Sequence, residues 1–334
     1  MERNRITVGL LAGGISEERN VSLETGKSVY SALLQLGYNI KLIDPAFGNE
    51  QINSYEEFFS RELIVSSKRI FLETFNAENF SGIDVVYNAM HGPLAEDGVT
   101  QTLLDLLGVK YVGADAMASA IGMDKWFSKI LFEKAGVKTP KGLRVTRNNY
   151  SEKEAKFFIE QNLSVPFIVK PNNQGSTIGL TLCKDIKLLN EAVEKAFSVS
   201  DKVLIEEYVP GRELTAAVID GKAFPVLEIV PKSGLYDFEA KYESDDTDFI
   251  VPAEIPARFS ETMQDWAVKA FNSIGCRDYG RVDFKLTDND EIFCLEINTL
   301  PGMTNHSLVP KMAQAAGIGF NELVDGLIKN AIER

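Results

Sequence analysis

The sequence reads GRVDFKL at residues 280–286 and IFCLEIN at residues 292–298, and apolar and polar residues alternate in both stretches. Alternation with a period of two is typical of half-buried strands, and the pair Asn289-Asp290 between them favours a two-residue β-hairpin turn. That turn determines an antiparallel register, because each residue has one partner once the turn is placed. The register matches three apolar pairs: Val282 with Ile297, Phe284 with Leu295, and Leu286 with Phe293.

The opposite face of this hairpin collects polar side chains. In the same register, Asp283 faces Glu296 and Arg281 faces Asn298. Two opposed carboxylates repel unless a cation lies between them, and a few oxygen ligands suit Mg²⁺ held jointly by a protein and a polyphosphate. An exposed polar face with an incidental salt bridge explains the alternation equally well. The uncharged, turn-rich segment at residues 299–307 favours the first interpretation, because backbone N–H groups in such a loop can bind an oxyanion.

Length and composition exclude several classes of protein. The 334 residues, of which 45% are hydrophobic, predict two or three domains with well-formed cores. The 35 Lys and Arg residues against 48 Asp and Glu give a net charge of −13, which argues against a nucleic-acid-binding protein. No stretch approaches the ~18 apolar residues of a membrane span. Three separated cysteines and two histidines predict a reduced, cytoplasmic protein whose chemistry uses carboxylates, lysines, arginines and backbone amides.

The order of predicted elements indicates the α/β class. In the first third of the chain, strands are predicted over 6–11, 39–43, 69–72 and 84–88, and helices over 21–36 and 99–107. This βαβ order predicts a small, doubly wound parallel sheet with Gly13-Gly14 and His91-Gly92 at strand ends, where such sheets bind ligands. Further helices are predicted over 123–135, 185–197, 260–274 and 308–333, and strands over 166–170 and 202–208, with long strands and hairpins from residue 214.

Two segments outside the hairpin suggest a phosphate and nucleoside site. A strand ends in Lys170 and runs into the Asn-, Gln- and Gly-rich loop 172–179, whose small residues let backbone N–H groups approach an anion. An ordinary hairpin turn is the alternative, and Lys125 by itself is typical of a solvated helix position. The strand at 202–208 leads into a turn that can hydrogen-bond a purine edge, with Glu213 available for ribose hydroxyls.

The order of these segments resembles the ATP-grasp superfamily, and the full set resembles the D-alanine–D-alanine ligase family over essentially the whole chain. The motifs that carry the resemblance are LAGGISEERNVS at 11–22, HGPLAEDG at 91–98, YDFEAKY at 236–242, and the segments 280–283 and 295–307. The resemblance implies an N-terminal doubly wound parallel sheet followed by a two-part ATP-grasp fold, α+β overall. The expected domains are an N-terminal substrate domain at 1–117, a central ATP-grasp subdomain at 118–213 and a C-terminal catalytic domain at 214–334.

The resemblance also implies a role for each matching residue. For ATP, the expected residues are Lys125, Lys170, Ser176, Glu206, Tyr208, Val209 and Glu213. Asp283, Glu296 and Asn298 are expected to hold two Mg²⁺ ions, for which Mn²⁺ can substitute. The expected substrate contacts are Glu18, His91, Lys241, Ser307 and Leu308, and the expected catalytic residues are Glu18, Ser176, Tyr242, Arg281, Gly302 and Ser307.

The reaction implied by the resemblance joins two D-alanines at the expense of ATP, through an acyl phosphate, and supplies D-alanyl-D-alanine for peptidoglycan precursors. A homodimer formed through the N-terminal domain is also implied. Tyr242 matches the branch of the family whose second substrate is an amine, and the polar segment 232–248 is a candidate lid. Two alternatives stay open: another D-amino acid such as D-serine at the second site, and an ATP-binding module that has lost catalysis.

Overall fold

The computed structural model describes residues 2–175, 177–231 and 247–334. Its N-terminal part contains β1 (Thr7–Leu11), α1 (Arg19–Leu36), β2 (Asn39–Ile43), α2 (Tyr55–Ser60), α3 (Lys68–Thr74), β3 (Val85–Asn88) and α4 (Val99–Leu107). Strand β1 pairs in parallel with β2 on one side and with β3 on the other. The predicted parallel sheet is confirmed, and the loops that follow β1 and β3 leave it at the same edge.

The strand predicted over 69–72 is wrong, because these residues lie in α3. Ser67 caps this helix by accepting a hydrogen bond from the Ile70 backbone N–H at 3.3 Å. Phe71 is buried whereas Leu72 is 56% exposed, so one helical face packs inward. A run of three or four apolar residues fits a strand and a short helix equally well, and the capping serine decides here.

The central part of the chain forms an antiparallel sheet flanked by helices. Its elements are α5 (Ala116–Met123), α6 (Lys125–Lys134), β4 (Gly142–Thr146), α7 (Glu152–Asn162), β5 (Phe167–Pro171), β6 (Thr181–Cys183), α8 (Leu189–Phe197) and β7 (Lys202–Glu207). The strands lie in the order β4-β7-β5-β6. The predicted helix over 123–135 corresponds to α6, whose first turn is capped by the Asp124 side chain on the Phe127 N–H at 3.1 Å.

The last part of the chain forms a larger antiparallel sheet. Its elements are β8 (Arg212–Ile219), β9 (Lys222–Ala223), β10 (Leu227–Pro231), β11 (Thr247–Ile250), α9 (Ala257–Ser273), β12 (Tyr279–Leu286), β13 (Ile292–Asn298), α10 (Leu308–Ala315) and α11 (Phe320–Glu333). The strand order is β11-β10-β8-β12-β13, with β9 beside β8. The single helix predicted over 308–333 is divided in two, because Gly317 adopts a φ of +86° and ends α10.

The hairpin register is confirmed at one end and wrong at the other. Val282 faces Ile297 as predicted, but a β-bulge follows Asp283, so that Phe284 faces Cys294 and Leu286 faces Ile292. Leu295 is the extra residue of the bulge. The loop at residues 287–291 is therefore longer than the predicted two-residue turn, and the Thr287 N–H donates to the Glu291 carbonyl at 2.9 Å across it. A bulge places one extra residue in one strand, so the pairing beyond it shifts by one residue. Apolar and polar residues still alternate on each side of the bulge.

The two ends of the chain pack together. Helices α10 and α11 contribute to the same hydrophobic core as the N-terminal sheet. On α11, Asp325 accepts hydrogen bonds at 2.8 Å from Arg3 and from the Tyr38 hydroxyl, and Lys329 lies 2.7 Å away. Burial opposes the charge of Asp325, yet these three donors hold its pKa at about 2. These contacts connect the N-terminal sheet to the last helix.

The domain boundaries expected at 117/118 and 213/214 stay a prediction.

None of the helices in the described part of the chain has the length and apolarity needed to cross a membrane. Cys183, Cys276 and Cys294 are buried thiols without a disulfide partner.

Candidate active site

The polar face of the β12–β13 hairpin has the predicted pairing. Asp283 faces Glu296 and Arg281 faces Asn298, both on the site side of the bulge. Arg281 donates from Nε and Nη2 to the two Asp283 oxygens, each at 2.9 Å. Thr215 on β8 adds a hydroxyl that lies 2.6 Å from Asp283 Oδ1. The orientation of the Asp283 carboxylate is thus determined from two strands.

Lysines from two other elements approach the same face. Lys125, the first residue of α6, lies 3.1 Å from Glu296 Oε2 and donates to the Gln174 carbonyl at 2.9 Å. Lys170, near the end of β5, is buried, and its ammonium contacts Glu206. Burial opposes the charge of Lys170, but the carboxylates of Glu206 and Glu296 raise its pKa. Carboxylates and ammonium groups from two sheets and one helix therefore lie close together at this face.

Lys129 belongs to this group and was missed by the sequence analysis. It lies one helical turn after Lys125 on α6, and its ammonium contacts the second oxygen of Glu206. All three side chains in this contact are at least 89% buried. The spacing of four residues between the two lysines was the available signal, since such residues share a helical face.

The remaining residues expected at the nucleotide lie along β7 and β8. Glu206 is buried with its carboxylate between the two lysines, whose charges lower its pKa although burial opposes this. Tyr208 is half-buried and Val209 is buried, just beyond the end of β7. Glu213 on β8 lies 3.0 Å from the Lys285 ammonium. The strand exit is present as predicted, and the Glu206 side chain is directed to lysines.

The residues expected at the amino-acid substrates come together from opposite ends of the chain. A Cβ placed on Gly92 would fall 2.8 Å from Glu18 Oε2, so Glu18 lies beside the loop that follows β3. A Cβ placed on Gly302 would fall 3.1 Å from Ser307 Oγ and 4.0 Å from His91 Cε1. The loops that leave the N-terminal sheet therefore lie against the loop after β13, which directly follows the β12–β13 hairpin.

His91, in the loop after β3, is held by two side chains. Its Nε2 lies 2.9 Å from the Thr25 hydroxyl, and its Nδ1 lies 3.4 Å from Glu96 Oε1. His91 and Thr25 are both buried. Ser307 precedes α10, of which Leu308 is the first residue, so both residues lie at the positive end of a helix dipole. Ser176, Lys241 and Tyr242, which were expected here too, lie outside the described residues.

The hairpin has donors that fit a magnesium ion. Within the described ranges, no group of three or more His, Cys, Asp and Glu side chains converges as a self-sufficient metal site. Asp283 and Glu296 nevertheless provide two carboxylates, and the Asn298 amide oxygen, which accepts from the Leu300 N–H at 2.9 Å, keeps a second lone pair. Mg²⁺ commonly takes one or two protein carboxylates and fills its other positions with water and phosphate oxygens.

Family models match both halves of the chain. The model described as D-ala D-ala ligase N-terminus matches residues 7–114, and the model described as D-ala D-ala ligase C-terminus matches residues 131–329. The chain belongs to the D-alanine–D-alanine ligase family. The recognition made from the motifs is confirmed, and so are the fold class, which is α/β with an ATP-grasp fold, and the class of enzyme, a ligase.

Relatives of this family match along nearly their whole length. The D-alanine–D-alanine ligase of Desulforamulus reducens is 38% identical, and the match covers 98% of this chain and 99% of that one. The enzyme of the same name from Syntrophotalea carbinolica is 36% identical, with 97% and 95% covered.

Solved structures of two ligases have the same fold. VanG D-Ala:D-Ser ligase from Enterococcus faecalis superimposes with a TM-score of 0.81 at 29% identity, covering 97% of this chain and 98% of that one. The D-alanine–D-alanine ligase from Bacillus anthracis in complex with ATP has a TM-score of 0.78 at 29% identity, with 98% of both chains covered.

Proposed function

We propose that this ligase joins two molecules of D-alanine to D-alanyl-D-alanine, with ATP converted to ADP and phosphate, and that it supplies peptidoglycan precursor synthesis. The observation that carries the proposal is the convergence of the loops after β1, β3 and β13, which bring Glu18, His91, Gly302 and Ser307 close together. These residues lie next to the hairpin whose Asp283 and Glu296 face each other and whose Glu296 contacts Lys125. Relatives named D-alanine–D-alanine ligase, matched over nearly their whole length, support the choice of amino acid.

The first step needs a carboxylate to attack a polyphosphate, which brings two anions together. In the proposed arrangement, Lys125 and Lys170 bind the ATP phosphates and offset this repulsion. Asp283, Glu296 and Asn298 hold Mg²⁺, or Mn²⁺ in its place, and the bound metal supplies further positive charge at the phosphates. The carboxylate of the first D-alanine takes the γ-phosphoryl group and ADP leaves.

The nucleoside of ATP lies along β7 and β8 in this arrangement. Backbone groups near Tyr208 and Val209 accept the adenine edge, and Glu213 meets the ribose hydroxyls. Glu206 lies at the same adenine hinge, and its carboxylate contacts Lys170. Ser176 in the loop after β5 is proposed to close over the phosphates.

The amino-acid side of the site orients the two substrates. Glu18 pairs with the ammonium group of the first D-alanine, and His91 lies against that substrate. Ser307 and the N-terminus of α10 at Leu308 receive the carboxylate of the second D-alanine, where the helix dipole favours an anion. Lys241 also meets that carboxylate, and Tyr242 completes the hydrogen-bond network of the first site.

The second step replaces phosphate by the second amine. The free-base amine attacks the acyl carbon, a tetrahedral intermediate forms, and the C–O bond to phosphate breaks while the nitrogen loses a proton. Arg281 and the Gly302 N–H stabilise the oxyanion of that intermediate. Water must be excluded meanwhile, because it would hydrolyse the acyl phosphate.

A second candidate differs in the second substrate. VanG, a D-Ala:D-Ser ligase, is as similar in fold and identity as the Bacillus anthracis ligase. One or two pocket residues change such a preference, so D-serine is the competing substrate.

We also propose a cytoplasmic homodimer. The three buried free thiols support a reducing compartment. Val99, Leu103 and Leu106 share one face of α4 in the N-terminal part, and Leu106 is 80% exposed, which supports an interface there. Light scattering coupled to size-exclusion chromatography measures the mass directly, and a monomeric mass at micromolar protein would rule the dimer out.

The experiment that tests the function is phosphate release from ATP and Mg²⁺, with D-alanine, L-alanine, D-serine and D-lactate tested singly and as pairs with D-alanine. Mass spectrometry identifies the condensed product. Release with D-alanine alone and a D-alanyl-D-alanine product support the proposal. If D-serine strongly enhances phosphate release and the product is a mixed dipeptide, the preferred second substrate is D-serine. Measurable ATP binding without release in any mixture identifies a module that has lost catalysis.

A further inference from the structure

Three buried charged side chains next to the proposed phosphate site are linked by two ion pairs. Lys129 on α6 contacts one oxygen of Glu206 on β7, and Lys170 on β5 contacts the other. The three side chains are 6%, 4% and 11% exposed, respectively. We call them the buried triad. The proposed function uses Lys170 at the phosphates but leaves Lys129 without a role.

Stability alone is a poor reason for the buried triad. Removing three charges from water costs several kcal/mol per ion, and apolar replacements of buried ion pairs are often neutral or stabilising. Burial lowers the pKa of Lys129, which shows the cost of keeping its ammonium there. A charged group buried at such a cost next to the proposed ATP site is a candidate for a functional role.

The buried triad is continuous with the proposed ATP site. Lys125, one turn before Lys129 on the same face of α6, lies 3.1 Å from Glu296. The Glu296 carboxylate also raises the pKa of Lys170. A change in the charge of Glu206 therefore alters the electrostatic environment of Lys170, which also interacts with Glu296 of the hairpin.

The charge balance gives Lys129 a role. Two ammonium groups and one carboxylate leave the buried triad with one net positive charge. Without Lys129, Glu206 and Lys170 form a neutral pair, and the carboxylate competes with phosphate for the Lys170 ammonium.

We propose that Lys129 is a positioning residue for ATP: it occupies one oxygen of the Glu206 carboxylate and so leaves Lys170 with excess positive charge for the phosphates. This inference rests on the proposed function, because it takes ATP as the ligand. Lys129 acts through Glu206 and touches no atom of the nucleotide. Its effect must therefore disappear when Glu206 carries no charge.

A double-mutant cycle on the full chain tests this dependence. Isothermal titration measures Kd for a non-hydrolysable ATP analogue with Mg²⁺ in the wild type, Lys129→Met, Glu206→Gln and the double variant. We expect Lys129→Met to raise Kd roughly tenfold or more, the effect of about 1.4 kcal/mol. In the Glu206→Gln background, the same replacement should change Kd by less than about threefold. The wild-type chain and Lys129→Met should have the same KM for D-alanine.

Lys138→Met is the matched control. Lys138 also forms an ion pair, with Glu291 at 2.6 Å, but both side chains are about half exposed, at 46% and 52%. Its replacement removes one lysine charge whose ion-pair partner is Glu291 and not a member of the buried triad, so Kd for the analogue should stay unchanged. Thermal melting confirms that each variant is folded. Should Lys129→Met fail to fold, Lys129→Gln keeps a hydrogen bond to Glu206 without the charge, and it should weaken binding similarly.

Several outcomes overturn the inference. A wild-type Kd in the folded Lys129 variant does so, and so does an equal loss in both backgrounds, because Lys129 would then act independently of Glu206. If the wild-type chain binds no ATP analogue, the proposed function fails and the inference fails with it. In another outcome, the wild type binds the analogue while Lys129→Met either leaves Kd unchanged or raises it equally with and without the Glu206 charge. That result keeps the proposed function and rejects only the role of Lys129.

Discussion

Replacing Arg281 with alanine separates two contributions of this residue: stabilisation of the oxyanion, which affects kcat, and neutralisation of the hairpin carboxylates, which affects the Mg²⁺ dependence. In the wild type, the guanidinium donates to both oxygens of Asp283 at 2.9 Å, and the two side chains are 17% and 15% exposed. Arg281→Ala leaves Asp283 with the Thr215 hydroxyl, opposite the Glu296 carboxylate. The net charge of Arg281, Asp283 and Glu296 together changes from −1 to −2.

The size of the effect follows from these contacts. Loss of an oxyanion donor lowers kcat by at least ~10²-fold. Loss of hydrogen bonds to a charged group costs about 1.5–3 kcal/mol when the group is buried, and solvent reduces this at the partly exposed Asp283. The added negative charge should lower the Mg²⁺ concentration needed for half-maximal activity. ATP binding should change little, because Lys125 and Lys170 are untouched.

Phosphate release at saturating D-alanine and ATP, measured over a range of Mg²⁺ concentrations, gives both parameters. Arg281→Lys is the control, because it keeps the charge but loses the planar fork that reaches both Asp283 oxygens. It should restore the Mg²⁺ dependence more fully than kcat. An unchanged kcat in Arg281→Ala would remove Arg281 from the mechanism. A loss of kcat accompanied by an equal loss of ATP affinity would point to a collapsed hairpin.

Three further variants probe other contacts. Thr25→Val removes the hydroxyl 2.9 Å from His91 Nε2, so the apparent KM for D-alanine should rise about threefold or more while the KM for ATP holds; equal KM values would refute this. Gly302→Ala places a methyl group 3.1 Å from Ser307 Oγ, so initial rates should show a lower kcat with little change in melting temperature. Asp325→Asn should lower the free energy of unfolding by about 2 kcal/mol at pH 7. Because its carboxyl pKa falls from 3.8 to about 2 on folding, that stabilisation is present above pH 4 and is lost as the pH falls towards 2. Urea unfolding should therefore show a smaller difference at pH 3.

Much of the site was predictable because it is local. A β-hairpin pairs residues that are close in sequence, so alternation together with the placement of the turn predicted the facing pairs Asp283–Glu296 and Arg281–Asn298. The same argument failed beyond Asp283, where a bulge changes the register without leaving a mark in the pattern. The alternation of apolar and polar residues does not indicate how many residues a loop or a bulge contains.

The fold was predictable where periodicity was long and ambiguous where it was short. The helix over 99–107 and the strand over 39–43 agree with the structure, since each has a clear pattern and a clear end. The segment 69–72 was assigned to a strand, and a cap at Ser67 makes it helical. Gly317 divides the last predicted helix, because a positive φ ends a helix whatever the apolar pattern on either side.

The sequence by itself determined the family, the enzyme class and the pairs that face each other across one hairpin, because ordered motifs and period-two alternation are local properties of the chain. The tertiary structure decided which distant groups meet: His91 against Gly302, and Lys129 against Glu206. Those contacts join separate sheets and helices, and their formation depends on how whole elements pack. A buried charge finds its partner through that packing, so no spacing along the sequence specifies it.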